Sequence, residues 1–200
     1  KGLISDRLAY DVALFDLRLR HVPVANEVVA SVLDFDDAGS VRRRGGEVAF
    51  TLVLTPEVDV RLGYTYADYE YSEYRFESGG TGSFVSYSEN HEPNIPRHHL
   101  AAELRWAHHS GVFATLAARH FSDIEVNDAN SFESDGVTLS DFRIGYDWRG
   151  ESLSLQPFVG VRNWSRAEYD QTLRPNAAAN RFYEPAPLAE LYVGVDLRFQ

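Results

Sequence analysis

Neither cysteine nor methionine occurs among the 200 residues of this chain. A disulfide scaffold is excluded, and the lack of thiols suits a protein that crosses an oxidising periplasm. No apolar run approaches the ~18 residues a membrane-spanning helix requires. Positive charge is scarce as well: 19 Lys and Arg stand against 30 Asp and Glu, a formal net charge of -11. A nucleic-acid partner would want a basic face, so that class is set aside. With 44% hydrophobic and 24% charged residues, the chain is too apolar for disorder. It has the size of one domain or of a piece of a larger one. Its opening at Lys1-Gly2-Leu3-Ile4 falls in mid-pattern and has no signal-peptide form, so the expectation is a piece whose N-terminal part lies elsewhere.

What is present is alternation. At the C-terminus Leu191, Val193, Val195, Leu197 and Phe199 share one parity, while Tyr192, Gly194, Asp196 and Arg198 share the other. A strand sends alternate side chains to opposite faces, so residues 191–199 read as a strand with one greasy face. Residues 58–67 repeat this, with Val58, Val60, Leu62, Tyr64 and Tyr66 against Asp59, Arg61, Gly63, Thr65 and Ala67. Further strands are expected at 8–20, from 28 with interruptions to 54, and at 100–106, 112–121, 137–148 and 153–164. The strand at 8–20 has two apolar parities, Tyr10, Val12 and Leu14 against Ala13, Phe15, Leu17 and Leu19, and its faces stay unassigned. Pro157 is awkward in a strand, because proline cannot donate to a ladder.

The connections carry the organisation. Those at 5–7, 55–57, 107–111 and 149–152 are short, and those at 21–27, 72–97, 122–136 and 165–190 are long. Strict alternation of short and long connections is the habit of outer-membrane barrels, with short periplasmic turns and long extracellular loops. Barrel strands alternate, so the missing apolar run does not count against them. Trp106, Tyr146, Trp148 and Phe199 fall on the apolar parity at short-turn ends, and Tyr64 and Tyr66 on the same parity at a long-loop end. Two aromatic belts around an aliphatic band are what membrane interfaces select. The expected fold is therefore all-β, an antiparallel up-and-down transmembrane β-barrel wall of about eight strands.

Local motifs then carry a family resemblance. Asp37-Ala38-Gly39 followed by Arg42-Arg43-Arg44-Gly45-Gly46-Glu47 is similar to an Asn-x-Gly and Gly-x-Glu pattern in the barrels of TonB-dependent outer-membrane receptors. Pro96-Arg97-His98-His99-Leu100 resembles a strand beginning common in that family. Asn163-Trp164-Ser165-Arg166-Ala167-Glu168-Tyr169 keeps the Asn and Tyr of its Asn-Leu-Phe-Asp-x-x-Tyr. Residues 174–187 resemble the last extracellular loop of the siderophore-receptor branch. In this chain Asp37 stands for the usual Asn, and Gln200 follows the usual terminal Phe.

The resemblance implies that residues 1–200 are the C-terminal part of one barrel domain of about 22 strands, without its plug or the segment that engages TonB. It implies TonB-dependent transport of a scarce ligand such as a ferric siderophore across the bacterial outer membrane, with outer-membrane lipid and lipopolysaccharide as surroundings. No enzyme activity and no cofactor are expected. Alone, the piece would be an open sheet with two raw edges. Two other readings stay open: a self-contained eight-stranded barrel acting as a small porin, adhesin or lipid-modifying enzyme, whose first strand would pair with residues 191–199, and a soluble β-sandwich.

Parity sends Arg43, Glu47, Arg61, Glu103, Arg105, Arg119, Asp141, Arg143 and Arg162 to the lumen, where a salt-bridged wall is expected. Ligand contact is expected from Tyr69, Tyr71, Tyr74 and Arg75 near the upper rim and from Arg174, Asn176, Arg181 and Tyr183 in the last loop. Arginine forks and tyrosine suit anionic iron chelates. Arg42 and Arg44, facing outward above the band, are candidates for lipopolysaccharide phosphates, a hypothesis removed by unchanged lipopolysaccharide binding after both become Ala. Catalytic motifs are weak. Gly79-Gly80-Thr81-Gly82 lacks the lysine of a phosphate loop. His98 and His99 point to opposite faces and cannot share a metal. His108 and His109 lie in a turn and are candidates for adventitious metal, with surface solvation the favoured reading. Asp123, Glu125 and Asp128 lack calcium-loop spacing.

Overall fold

The computed structural model describes residues 1–29, 32–37, 39–78 and 82–199. Ala38, the residues 79–81 of the Gly-rich stretch and Gln200 lie outside the described residues. The strands are β1 (Gly2–Ser5), β2 (Leu8–Arg20), β3 (Pro23–Val29), β4 (Val32–Asp37), β5 (Ser40–Thr55), β6 (Val58–Glu73), β7 (Arg75–Ser78), β8 (Ser83–Ser86) and β9 (His98–Ala107). They continue with β10 (Val112–Phe121), β11 (Ile124–Glu125), β12 (Glu133–Ser134), β13 (Val137–Tyr146), β14 (Trp148–Arg149), β15 (Leu153–Arg162), β16 (Asp170–Leu173), β17 (Tyr183–Pro185) and β18 (Glu190–Phe199).

One antiparallel sheet runs β1-β2-β5-β6-β9-β10-β13-β15, with β14 and β18 both paired to β15. Among the described residues β18 pairs with β15 alone, and the sheet does not close on itself. The self-contained eight-stranded barrel is therefore corrected to an open wall segment. The soluble sandwich falls too, because among the described residues no second layer covers the apolar face: Leu62, Leu104 and Leu116 are 49%, 42% and 41% exposed in the middle of the sheet.

Register explains the two faces. Leu52 stands opposite Val60, then Leu104, Leu116, Phe142, Val161 and Leu191 across successive strands, an unbroken apolar row. Because alternate residues share a face, one such row fixes the parity of every strand in it. In β2, Tyr10 stands opposite Phe50 and Val12 opposite Val48, so Tyr10, Val12 and Leu14 belong to the apolar face. Phe15 turns the other way and meets Tyr69 edge-on at 6.1 Å.

The expected loop at 21–27 is corrected to 21–39. Residues 23–37 do alternate, but β3 and β4 pair with each other and not with the sheet. His21, at φ 55, donates its N–H to the Gly39 carbonyl at 2.6 Å and closes this ribbon at the rim. Each other long connection holds a ribbon of its own, β7–β8, β11–β12 and β16–β17. Pro157 acquires a reason as well. The ladder between β13 and β15 stops at Gly145 opposite Phe158 and resumes in the same register at Trp148 opposite Leu155. The break falls where proline has no N–H to donate, and it ends the expected strand at Tyr146 instead of Trp148.

The polar face has a packing device of its own. Phe113 stands opposite Gly145, Gly145 opposite Phe158, and Phe158 opposite Gly194. Each ring occupies the space where a Cβ on its glycine neighbour would sit. Arg143 lies over the Phe158 ring at 3.6 Å from its centroid, and Arg162 lies over Tyr192 at 5.1 Å. A guanidinium over an aromatic face is attracted by the ring quadrupole.

The buried residues gather at one end. Val24, Val41, Tyr71 and Tyr74 form one cluster, and Val126, Ala177 and Phe182 another. Both lie at or above the long-loop ends of the strands, so the packed core is a layer of loops set on the rim of the sheet.

Candidate ligand face at the long-loop end

Asp128 is the centre of this layer. Its carboxylate accepts hydrogen bonds from the Tyr71 hydroxyl (2.6 Å), the Tyr74 hydroxyl (3.2 Å) and the Asn176 side-chain amide (3.0 Å). Its backbone N–H donates to Asn176 Oδ1 at 2.9 Å, and its carbonyl accepts from Asn90 Nδ2 at 2.7 Å. Three connections far apart in sequence, 74–97, 122–136 and 163–189, are thus tied through one residue. A second tie is reciprocal: Asn130 Oδ1 accepts the His91 N–H at 2.7 Å while Asn130 Nδ2 donates to the His91 carbonyl at 2.9 Å. Burial pushes the Asp128 carboxyl above its ordinary range, outweighing the three donated bonds.

Asn163 shows why one short motif persists here. It sits at φ 46, buried, with its Nδ2 donating to the Ala167 carbonyl at 2.8 Å and its Oδ1 accepting the Ala167 N–H at 3.0 Å. A side chain that both donates to and accepts from the backbone four residues on folds the exit from β15, and Asn tolerates the left-handed backbone this requires.

The eight expected ligand residues divide into three groups. Tyr71, Tyr74 and Asn176 are spent on Asp128, with both tyrosines buried. Tyr69 belongs to the polar face, under Arg43 at 5.4 Å, and Arg43 in turn forks onto Glu92 at 2.7 and 2.8 Å. Arg75, Arg174, Arg181 and Tyr183 stand toward the tips. Arg75 lies over Phe84 at 5.6 Å, Arg174 pairs with Glu184, and the Tyr183 hydroxyl donates to the Glu133 carbonyl at 2.8 Å. Arg181 Nε donates to the Ala178 carbonyl at 3.1 Å and holds the 3₁₀ turn Ala178–Asn180. The structure does not gather the eight into one constellation.

Arg42 and Arg44 face outward, as the parity reading expects, but carboxylates engage both. Arg42 meets Asp16 at 2.5 Å, and Arg44 meets Asp68 at 2.6 Å and Glu70 at 3.7 Å. A phosphate would have to displace these partners. Asp68, Glu70 and His91 also have their ligand atoms close together, yet Arg44 and Arg97 already supply the cations at Asp68. On the polar face Arg61–Glu103 (3.4 Å), Arg119–Asp141 (2.9 Å), Arg143–Asp196 (3.4 Å) and Arg162–Glu190 (3.7 Å) form the wall of ion pairs. On the apolar face Trp106, Tyr146, Trp148 and Phe199 are exposed near the short turns. Toward the long loops the Tyr64 hydroxyl meets His98 Nδ1 at 2.9 Å, and the Tyr66 ring lies 5.4 Å from the His98 ring. His99, on the opposite face, stacks on Phe121 at 4.5 Å.

Sequence reasoning passed over Asn130, Glu92 and Asp16, and met Asp128 only in a calcium-loop pattern that it set aside. No local signal marks Asp128, because its side-chain partners lie 48 to 57 residues away. The nearest hint is the Asn-Asp-Ala-Asn run at 127–130, whose short polar side chains favour turns.

An open antiparallel wall, apolar and exposed on one face and ion-paired on the other, with its long connections packed at one end, defines a segment of a transmembrane β-barrel. Residues 2–164 match the family described as TonB dependent receptor-like, beta-barrel. The chain belongs to this family, whose members reside in the outer membrane of Gram-negative bacteria. Among solved structures, it is similar to the siderophore receptor PiuA from Acinetobacter baumannii, at 18% identity and a TM-score of 0.71 over 96% of this chain and 26% of that one. It is similar to the ferric citrate transporter FecA in its unliganded form, at 18% identity and a TM-score of 0.74 over 96% of this chain and 29% of that one. The ferric-catecholate import receptor Fiu from K12 E. coli is 17% identical, with a TM-score of 0.66 over 98% of this chain and 26% of that one. The chain spans roughly a quarter of the length of these structures. At such identities the likeness concerns the fold.

Proposed function

We propose that this chain is the C-terminal wall of a receptor that carries a ferric siderophore across the outer membrane by TonB-dependent active transport. The receptor would engage TonB through a part of the protein outside this chain, and it is a transporter and not an enzyme. The observation that supports the reading best is the loop layer. Three long connections are locked together through Asp128, and the layer leaves Arg75, Arg174 and Tyr183 toward its tips with exposed side chains. Planar guanidinium forks and phenol hydroxyls suit the carboxylate or catecholate oxygens of an iron chelate. PiuA, Fiu and FecA carry names of iron-chelate receptors, which supports the same ligand class.

The test is binding and uptake of a panel of ferric siderophores by the full-length receptor carrying Arg75→Glu and Arg174→Glu together. Affinity for the transported chelate should fall on the order of tenfold or more, equivalent to about 1.4 kcal/mol. Unchanged affinity for every chelate the wild type binds would remove these arginines from the ligand site. Failure of the wild type to take up any ferric chelate in the panel would remove the ligand class.

A further inference from the structure

The short-turn end carries a group of side chains that neither the loop layer nor the sheet uses. We propose that Glu57, His108 and His109 form a binding site for a divalent transition-metal ion of the kind that prefers imidazole, Zn2+ or Cu2+. Glu57 sits in the turn between β5 and β6, and the two histidines open the turn between β9 and β10. Their ligand atoms, one from each residue, all lie within 4.8 Å of one another. Glu57 Oε1 is 3.1 Å from His109 Nδ1 and 4.0 Å from His108 Nε2. Donor atoms each about 2.0–2.1 Å from a single ion lie at most about 4.2 Å apart, so both separations are compatible with shared coordination; without an ion the 3.1 Å contact is a hydrogen bond to the Glu57 carboxylate, and an ion replaces its proton.

The turns are held in place without an ion. The Ala107 N–H donates to the Glu57 carbonyl at 2.8 Å and the His109 N–H to Glu57 Oε1 at 3.1 Å, which fastens one turn to the other. His108 donates its N–H to the Val112 carbonyl at 2.8 Å and accepts the Gly111 N–H at 3.0 Å, while Gly111 takes the positive φ of 97 that the tight turn demands. Trp106 flanks the His108 ring at 5.6 Å, and the two imidazoles lie 3.9 Å apart by ring centres. His108 Nδ1 lies 2.8 Å from Ser110 Oγ. The Ser110 N–H donates to the same Nδ1 at 3.2 Å, so Nδ1 accepts here, and an ion taken up at Nε2 displaces the proton held there, which makes binding release a proton. The neighbouring Arg149 is held by Asp147 at 2.7 Å and does not compete for Glu57. Water would complete the coordination on the open side, and a bound ion would cross-tie two adjacent turns.

The experiment titrates the full-length detergent-solubilised receptor with Zn2+ and separately with Cu2+ by calorimetry, and records the Cu2+ electron paramagnetic resonance spectrum. One equivalent should bind through this site. Loss of even an outer-shell partner costs about 10- to 100-fold in metal affinity, so His108→Ala, His109→Ala and Glu57→Gln should each weaken it at least on the order of tenfold. The two-nitrogen Cu2+ signature should become a one-nitrogen signature in His109→Ala. His120→Ala, on the apolar face, should change nothing. His109 is 81% exposed in its side chain, so its removal leaves the sheet intact, and unchanged heat-resistant electrophoretic mobility verifies this for each variant. One-equivalent binding of either ion that depends on these residues supports the site. Wild-type affinity in the His108→Ala, His109→Ala double variant, or binding no tighter than that of an adventitious ion only, overturns it.

Discussion

Replacing Asp128 by Ala is expected to release the loop layer while leaving the sheet assembled. The substitution removes the acceptor carboxylate shared by the Tyr71 and Tyr74 hydroxyls and the Asn176 amide. A hydrogen bond to a charged group contributes about 1.5–3 kcal/mol, so losing three should cost the layer on the order of several kcal/mol. Tyr71→Phe is the informative comparison. It removes one donor and leaves the carboxylate with two, so its effect should stay near about 1 kcal/mol. The measurement is amide hydrogen exchange and limited proteolysis of the receptor in detergent. Segments 84–96, 122–136 and 165–189 should lose protection together in Asp128→Ala, whereas β9, β10 and β13 keep theirs. Loss confined to 122–136 would mean that the layer is not tied through this residue. If the layer is the ligand face, chelate affinity should fall in the same variant although Asp128 itself is buried.

The second large effect is expected at Gly145, with a sign opposite to strand propensity. Glycine inside a strand usually weakens it, so Gly→Ala is ordinarily neutral or favourable there. At Gly145 an added Cβ would overlap the Phe113 ring and lie 2.6 Å from the Pro157 carbonyl oxygen, which is backbone and cannot rotate away. Overpacking of this kind costs about 1–3 kcal/mol, and Val should cost more than Ala. Gly63 is the matched control on the same face, where the nearest atom to an added Cβ is that of Ala101 at 4.0 Å. Thermal unfolding followed by electrophoretic mobility should place Gly145→Ala well below wild type and Gly63→Ala at or above it. Gly194 separates ring from backbone, since the three atoms nearest to its Cβ would all belong to the Phe158 ring. Phe158→Ala should therefore relieve Gly194→Ala, while Phe113→Ala relieves Gly145→Ala only in part. Equal stability of the Gly145→Ala and Gly63→Ala variants would contradict the interlock.

These effects mark what the chain's alternation does and does not reveal. The sheet was legible because a period of two is a local property. Val58, Val60, Leu62, Tyr64 and Tyr66 show their shared face without reference to any partner. The strict alternation of short and long connections separated the long-loop end of the sheet from the short-turn end. The phase of β2 was not legible, because Phe15, Leu17 and Leu19 are as apolar as Tyr10, Val12 and Leu14, and only pairing with Val48 and Phe50 decides between them. The ribbon at 23–37 misled for a related reason: alternation reports a strand but not its partner. The loop layer was the least legible part. Tyrosines and an asparagine at a rim suggest ligand chemistry, but Tyr71, Tyr74 and Asn176 are consumed by a carboxylate that no short motif announces. The arginines were read on the correct faces, yet their partners Asp16, Asp68 and Glu92 come from other strands and loops, beyond the reach of a local pattern.

The central claim is that the chain is outer-membrane barrel wall with its long connections outside the cell and its short turns in the periplasm. Single-cysteine labelling tests it most directly, since the chain contributes no cysteine of its own. Leu188→Cys, in the last long connection, and Glu151→Cys, in the turn before β15, are placed one at a time in the full-length receptor in a background without other cysteines. Intact cells are treated with a membrane-impermeant maleimide. The account predicts labelling of Leu188→Cys in intact cells, and of Glu151→Cys only after the outer membrane is permeabilised. Labelling of Glu151→Cys in intact cells, with Leu188→Cys protected, would contradict it.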